Sequence, residues 1–289
     1  MHVKKILCVG EILWDIIDGE KYLGGAPLNV AANLSALGAE SWVLSAVGKD
    51  ELGSEALKRL EKAMVRTELV SVLDEYPTGT ALVHPELDGN ERFELPYPVA
   101  YDGIELSENS KKLLSGISPD GIVYGTLGAF RSPKVLESLR AVLASFPYAV
   151  SLYDVNLRKN YFNKELVSFL ASYATVMKLN DGEVEILSPM LFGKKLEIEG
   201  FAKKVLTSFG CKYVVVTKGE HGAEIFGKDL NFEVRGIDAE VVDTVGAGDA
   251  FSAGVLMALL NGEAADKALE KGNLCGADCV SHAGAFPEV

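Results

Sequence analysis

One α/β domain built on a mostly parallel sheet is what this sequence predicts, and three observations carry that expectation. Short β-branched runs alternate with longer amphipathic stretches, the pattern of a chain that lays helices over the faces of a sheet. The length of 289 residues exceeds one small domain and falls short of two full-sized ones, which suits one large core with an accessory piece over residues 1–289. Hydrophobic residues make up 48% and charged residues 24%, ample for a core and far from the composition of disordered chains.

Strands are expected at 6–9, 43–47, 121–124, 149–155, 174–179 and 213–217, each a short apolar run bounded by polar or turn-forming residues. Helices are expected between them at 27–37, 53–63, 133–145, 198–209 and 247–260. Two segments break the alternation, 12–23 and 75–105, where strand-like residues are interrupted by Asp88-Gly89 and by Pro77, Pro85, Pro96 and Pro98. They read as a small antiparallel excursion, either a lid over the crevice at the carboxyl ends of the strands, where α/β folds bind ligands, or a surface hairpin without that duty. No internal repeat, low-complexity tract or linker interrupts the chain.

Charge narrows the partners. Lys and Arg number 28 against 41 Asp and Glu, a formal charge of −13, which repels nucleic-acid backbones and anionic lipid alike. Neither nucleic acid nor a membrane surface is an expected partner. A small anionic ligand remains compatible, because a cleft can be locally positive within an acidic molecule. Cys8, Cys211, Cys275 and Cys279 form no CxxC pair, and His2, His84, His221 and His282 bring them no zinc-site spacing. Cys275 and Cys279 stand four apart on an expected helix and can share a face; buried thiols acting as small hydrophobes are the simpler account. The apolar run near the amino terminus is too short for a signal-peptide core, and no run approaches a membrane span, so a reduced, cytoplasmic protein is expected.

The strongest chemical signal is Asp243-Thr-Val-Gly-Ala-Gly-Asp249 ahead of an apolar helical run. Gly246 and Gly248 are poor helix formers placed where a helix begins. There they let successive N–H groups, with Ala247 between them, converge on an anion in the favourable field of the helix dipole. Asp249 is an awkward neighbour for a phosphate that is merely bound. Beside a phosphoryl group in transfer, it stands where a general base takes the proton of an attacking hydroxyl. The plainer alternative is an acid that favours the dipole and glycines that turn the chain. A second cluster, Gly24-Gly25-Ala-Pro27-Leu-Asn29, opens another helix, with Pro27 tolerated in its first turn. The glycine pair permits close approach of a ligand, and Asn29 offers a donor and acceptors to a hydroxyl. Asp15 lies amid Leu13, Trp14, Ile16 and Ile17, either a buried carboxylate for which sugar hydroxyls are suitable donors or an exposed acid on the accessory strand.

In these two motifs, the 24–50 and 243–251 regions, the chain resembles the ribokinase-like, or PfkB-type, carbohydrate kinases. Asp154-Val-Asn-Leu-Arg158, Asn180-Asp-Gly-Glu183 and Val216-Thr-Lys-Gly219 fall in the expected order between them, so the resemblance spans nearly the whole chain. It implies an ATP-dependent sugar kinase with a central parallel-dominated sheet and a small β-sheet lid. By this resemblance Asp249 is the catalytic base, with the amides of Gly246, Ala247 and Gly248 as the anion hole. Asp15, Gly24, Gly25 and Asn29 match sugar ligands. Asn180 and Glu183 match an element that influences magnesium and phosphate placement through water. Thr217, Gly219 and Asn273 match the nucleotide site, and Asp243 with the carbonyls near Val245 and Gly284 matches a monovalent-cation site suited to K+. Glu288 stands where some relatives offer a serine to that cation. No Walker A or protein-kinase motif is present, so Mg2+ would be held mainly by nucleotide phosphates and water. Fold-level analogy adds a homodimer through the lid.

Gly25-Ala-Pro-Leu-Asn29 and the Asp154–Arg158 string resemble fructokinases more than ribokinases. Arg158 can reach the sugar or the transferring phosphate with two parallel donors, or else form an ordinary ion pair with Asp154. Aromatic residues Phe93, Tyr97 and Tyr101 are candidates to pack over the sugar or, equally, within the core. The expected reaction is phosphorylation of fructose at its 6-hydroxyl. The alternatives are the same chemistry on ribose, 2-keto-3-deoxygluconate or a nucleoside, and a non-catalytic sugar or nucleotide sensor on this scaffold.

Overall fold

The structure, a computed structural model, describes residues 2–85 and 91–286. The Asp88-Gly89 turn and Glu288 lie outside the described residues, as does the side chain of Phe93. In chain order the strands are β1 (Lys5–Val9), β2 (Leu13–Ile17), β3 (Glu20–Gly24), β4 (Glu40–Gly48), β5 (Val70–Leu73), β6 (Gly79–Pro85), β7 (Glu91–Glu94), β8 (Gly121–Tyr124), β9 (Val150–Asp154), β10 (Val176–Asn180), β11 (Tyr213–Thr217), β12 (Ala223–Gly227) and β13 (Leu230–Val234). The helices are α1 (Ala26–Ala36), α2 (Glu51–Lys62), α3 (Glu108–Ile117), α4 (Leu127–Arg131), α5 (Pro133–Ser145), α6 (Lys164–Ser172), α7 (Asp181–Phe192), α8 (Ile198–Phe209), α9 (Ala247–Leu260) and α10 (Ala265–Val280). All six expected strands and all five expected helices are present, displaced at their ends by three residues at most.

Nine strands form the main sheet in the order β13-β12-β11-β10-β9-β8-β1-β4-β5. Pairing is parallel from β5 through β11, and antiparallel where β12 and β13 close the far edge. The chain runs outward from β1 through β4 and β5, then returns to lay β8 on the other flank of β1. This reversal opens a crevice at the carboxyl ends of β1 and β8, the switch point at which open α/β sheets take ligands.

Both faces of the sheet are covered. Along β1, Leu7 and Val9 enter a core with Tyr124, Tyr153 and Phe201, while Ile6 and Cys8 enter a second core with Leu28, Val255 and Leu256. A strand buried on both sides reads as a continuous apolar run, which is why β1, β8 and β11 were visible without alternation. Helix α9 is buried from Ala250 to Ala258, as befits a helix apolar all round. It packs closely on α10: a Cβ added at Gly254 would meet the Lys271 carbonyl at 2.8 Å and the Gly272 Cα at 3.0 Å.

Segments 12–23 and 75–105 supply a separate four-stranded sheet, β3-β2-β6-β7. It is mixed rather than antiparallel: β2/β3 and β6/β7 are antiparallel hairpins, and β2 pairs with β6 in parallel. Each hairpin leaves the main body on its first strand and returns on its second, so two hairpins joined by their outgoing strands have a parallel seam. Asp50 ties the root of β6 to the main body. It caps α2 through Gly53 N (2.8 Å) and accepts from Thr78 N (2.8 Å) and Thr78 Oγ1 (2.6 Å).

The rest of the second segment rejoins the main body. In the 3₁₀ turn Ala100–Gly103, Tyr101 is wholly buried in the core, which removes it from the set of aromatics that could cover a ligand from the small sheet. Its neighbour Asp102 takes Arg131 of α4 in a two-pronged pair, 2.7 Å to each carboxylate oxygen. The guanidinium also lies 5.0–5.5 Å from the rings of Tyr97, Tyr101 and Tyr161. The pair keeps its charges because each is matched inside; removing one partner strands the other. Arg131→Met is therefore expected to lower stability by about 3–5 kcal/mol in denaturant unfolding.

Candidate active site

Two glycine-bearing helix starts and four strand ends meet at the crevice. Helix α1 begins at Gly25, whose φ of 118° favours glycine and where a Cβ would run into the Glu11 carbonyl oxygen. Gly24 leaves room for the Asp15 carboxylate, whose Oδ2 lies 2.7 Å from where a Cβ would sit. Burial pushes Asp15 above the usual carboxylate range, and the Arg158 guanidinium opposes that. Tyr22 faces Asp15 in the β2/β3 register, so it shares the face of the small sheet that carries Asp15, and it is 52% exposed. Strand pairing alone identifies this aromatic; the residue pattern did not single it out.

Helix α9 begins at Gly246, with φ of 80°. Asp249 stands in its first turn. Among the described residues neither Gly246 N–H nor Gly248 N–H has an acceptor within the protein, whereas Ala247 N–H makes a long bond of 3.4 Å to the Thr244 carbonyl. Two of the three expected anion-hole amides are thus free, and the third is partly engaged by its own loop. Asn29 Nδ2 donates to Asp249 Oδ2 at 2.8 Å, joining the two motifs directly. The other amide atom, Asn29 Oδ1, is buried and without a partner, an acceptor waiting for a hydroxyl.

The charge beneath Asp249 comes from residues that motif spacing did not reveal. Lys178, in the middle of β10 and 8% exposed, places Nζ 3.0 and 3.2 Å from the two oxygens of Asp154, itself 4% exposed at the end of β9. Ser252 Oγ of α9 donates to Asp154 Oδ2 at 2.9 Å and lies 2.9 Å from the Gly248 carbonyl. A Cβ at Gly248 would come within 3.1 Å of the Lys178 ammonium. Asp154 is thereby committed to Lys178 and Ser252, and the alternative of an Asp154–Arg158 ion pair does not form; Arg158 is exposed and, among the described residues, carries no ion pair. A lysine inside an apolar strand is the one signal that could have pointed here.

Burial, and after it the Asp154 carboxylate, raise Asp249 to about 7, against the pull of Asn29, Lys178 and Arg158. Burial works to lower Lys178, but Asp154, Glu183 and Asp249 outweigh it and hold the amine above its ordinary value. Glu183 is raised by burial, with Lys178 opposing. Its carboxylate accepts from Leu157 N at 2.7 Å and Asn180 N at 2.8 Å, and Asn180 Oδ1 caps α7 through Glu183 N at 2.8 Å. Asn180 and Glu183 thus form a reciprocal cap that also braces the loop leading to Arg158.

Asn180 is paired in register with Thr217, so both stand at the same edge of the sheet, with Gly219 two residues further at a φ of 56°. Asn273 on α10 donates to the Arg235 carbonyl at 2.8 Å, holding the segment after β13 against that helix. Asp243 accepts from Val245 N and Gly284 N, each at 3.0 Å, and so clamps the loop before α9 to the chain after α10. One carboxylate with neighbouring carbonyls is a donor set that suits a monovalent cation. Cys279 Sγ lies 3.6 Å from the Val245 carbonyl and 3.9 Å from that of Ala285. Cys275 and Cys279 are half-buried and unbonded to each other, while Cys8 and Cys211 are buried. Among the described residues no cluster of His, Cys, Asp and Glu could hold a metal ion by itself, and no helix is long and apolar enough to cross a membrane.

Comparison with known proteins gives the same outline. The model of the pfkB family of carbohydrate kinases matches residues 4–288. The chain is 29% identical over 304 residues to an ATP-dependent 6-phosphofructokinase of Thermoanaerobacterium thermosaccharolyticum, covering 98% of this chain and 90% of that protein. It is 31% identical to fructokinase-2 of Oryza sativa subsp. japonica, over 91% of this chain and 81% of that one. Among solved structures, an uncharacterized sugar kinase of Pyrococcus horikoshii, PH1459, in complex with ATP superposes with a TM-score of 0.83 at 25% identity, covering 97% of this chain and 94% of that chain.

The raised Asp249 has a consequence for stability. The folded state holds this proton more tightly than the unfolded chain does, so stability falls as pH rises from about 4 to about 7 and the loss is complete above that. Asp249→Asn, which keeps an oxygen for Asn29, is expected to be more stable than the parent at pH 8 by up to about 4 kcal/mol and no more stable at pH 4. Calorimetric unfolding at the two pH values measures this.

Proposed function

The chain belongs to the pfkB family of carbohydrate kinases and is an ATP-dependent sugar kinase; from that premise we propose that it transfers the γ-phosphoryl group of ATP to the 6-hydroxyl of fructose, with Asp249 as general base. The observation that carries the reading is Asp249 itself, a carboxylate raised to about 7 beside the acceptorless amides of Gly246 and Gly248. A base with a pKa near neutrality is matched to taking a proton from a hydroxyl at physiological pH. The sugar's O6 gives its proton to Asp249 and forms a bond to the γ-phosphorus. The bond from that phosphorus to the β–γ bridging oxygen breaks, and ADP leaves with the electron pair. The Gly246 and Gly248 amides, with the α9 dipole, meet the charge on the transferring group.

Asp15, Asn29 and the backbone at Gly24 and Gly25 hold sugar hydroxyls, Asn29 Oδ1 gaining the donor it lacks. Thr217, Gly219 and Asn273 border the nucleotide, and the cap formed by Asn180 and Glu183 orders water around its phosphates. Magnesium, held by the phosphates and water, would neutralise their charge, and a potassium ion at Asp243, Val245 and Gly284 would add a fixed positive charge beside the α9 turn. The small sheet closes over the sugar as a lid, Tyr22 packing on it, so that Asp249 meets a sugar hydroxyl rather than water.

Charge favours a neutral hexose over a sugar phosphate. Glu11 and Asp15 are both buried enough to be raised above the usual carboxylate range, and Arg158 is the cation that acts on both. A dianionic phosphate set among them meets more repulsion than one guanidinium offsets. The unpaired Arg158 supports one second reading, an acidic sugar such as 2-keto-3-deoxygluconate, whose single carboxylate it could take with two donors.

Asp249→Asn is expected to reduce kcat by about 10²–10⁴-fold while ATP affinity by calorimetry changes little; near-normal turnover rejects the base. Asp15→Asn is expected to raise the KM for sugar by about tenfold or more with little change in that for ATP. Fructose, 2-keto-3-deoxygluconate, ribose, fructose 6-phosphate and a nucleoside, each supplied with ATP and magnesium and followed by product analysis, decide the acceptor. Fructose is expected to give the highest kcat/KM and fructose 6-phosphate none; the reverse order overturns the neutral-hexose reading.

A further inference from the structure

The geometry points to Lys178 as a positioning residue of phosphoryl transfer, anchored by Asp154 so that its buried ammonium keeps the Asp249 carboxylate ionised and in place. Three elements build this device. From β9, Asp154 receives Lys178 Nζ on both oxygens, at 3.0 and 3.2 Å, and from α9 it receives Ser252 Oγ at 2.9 Å. From β10, Lys178 reaches beneath Gly248, where a Cβ would stand 3.1 Å from its nitrogen. Ser252 also lies 2.9 Å from the Gly248 carbonyl, which closes the network on the turn that carries Asp249.

A buried lysine costs several kcal/mol in desolvation unless it is matched, and a single carboxylate matches it without leaving a net charge. Here the ammonium faces Asp154, Glu183 and Asp249 together, one cation among three acids. Such an excess of acid is tolerable only if one carboxylate gives way to a proton or meets an incoming positive charge. The carboxylate that must be free for catalysis is Asp249, and Lys178 tips the balance in its favour while Asp154 tips it back. The groups facing Asp249 are Cys8 from β1, Asn29 from α1, Asp154 and Arg158 from β9 and its following loop, Lys178 from β10, and Cys279 from α10. Of the two cations, Arg158 is exposed and Lys178 is buried, so solvent and salt screen the first and leave the second. A glycine at 248 then has a second reason beyond the free amide, since a Cβ there would crowd the ammonium at 3.1 Å.

This role rests on Asp249 being the base, and the test separates the two. Profiles of kcat against pH are measured with ATP, magnesium and the sugar of the panel with the highest kcat/KM, for the parent, Lys178→Met, Lys178→Arg, Asp154→Asn and Asp249→Asn, with thermal unfolding of each. Lys178→Met is expected to move the acid limb up by about one pH unit, so that much of its lost turnover returns at alkaline pH. Lys178→Arg is expected to leave the limb near its parental position, and Asp154→Asn to move it down. Opposite shifts from opposite charges are the signature, because a merely structural loss lowers turnover equally at every pH. Limbs that stay in place, or move in the same direction in the Lys178→Met and Asp154→Asn variants, overturn the assignment of Lys178, provided Asp249→Asn is inactive. An active Asp249→Asn removes the base instead. Should Lys178→Met fail to fold, Lys178→Gln carries the same expectation, and an acid limb at its parental position in that variant overturns the assignment.

Discussion

The first turn of α9 sets a buried carboxylate among amides that attract negative charge, and much of the surrounding structure answers that arrangement. Helix dipole and free amides draw negative charge to the same place where Asp249 already stands. Left alone, the buried carboxylate would hold its proton still more tightly. Asn29 answers from one side with a hydrogen bond and Lys178 from beneath with a charge. Lys178 in turn needs Asp154, and Asp154 needs Ser252 from α9 itself. The network ends where it began, on the turn it supports.

The switch point in the sheet makes this arrangement possible. Because β8 returns to lie beside β1, the ends of β1, β8, β9 and β10 open on one crevice instead of being spread along an edge. Helices α1 and α9 lie on the same side and direct their amino termini into it. The two cores are dominated by apolar side chains, and the polar groups buried in them, such as Ser41 with Ser35 and Arg131 with Asp102, are matched to one another.

Much of this was legible in the sequence, for identifiable reasons. Strands buried on both faces, such as 121–124 and 213–217, appear as short apolar runs whatever surrounds them, and α9 announced itself by glycines followed by an unbroken apolar stretch. The residues flanking those glycines could be assigned roles because a helix start constrains them locally. Lys178 was hidden because its meaning depends on what faces it across β9 and α9, and a lysine in a strand reads as an exposed edge when its partners are unknown. The mixed character of the small sheet was hidden for the same reason. The pairing of β2 with β6 joins segments about seventy residues apart and leaves no mark on either. Tyr101 was left open between ligand and core because proline-rich sequence around it masked a return to the core, where Arg131 and Asp102 fix it.

The Asn29–Asp249 hydrogen bond joins residues 220 positions apart. The first motif of the chain is therefore incomplete until the last quarter has been made and α9 is packed on α1, where Asn29 finds its partner. Contacts of such long range form late, after local helices and neighbouring strands have already gathered. A growing chain with all its strands made still lacks Asp249 and the free amides at the start of α9. The two glycine-bearing helix starts thus come together only when almost the whole chain is present, and a chain cut short before α9 holds the first without the second.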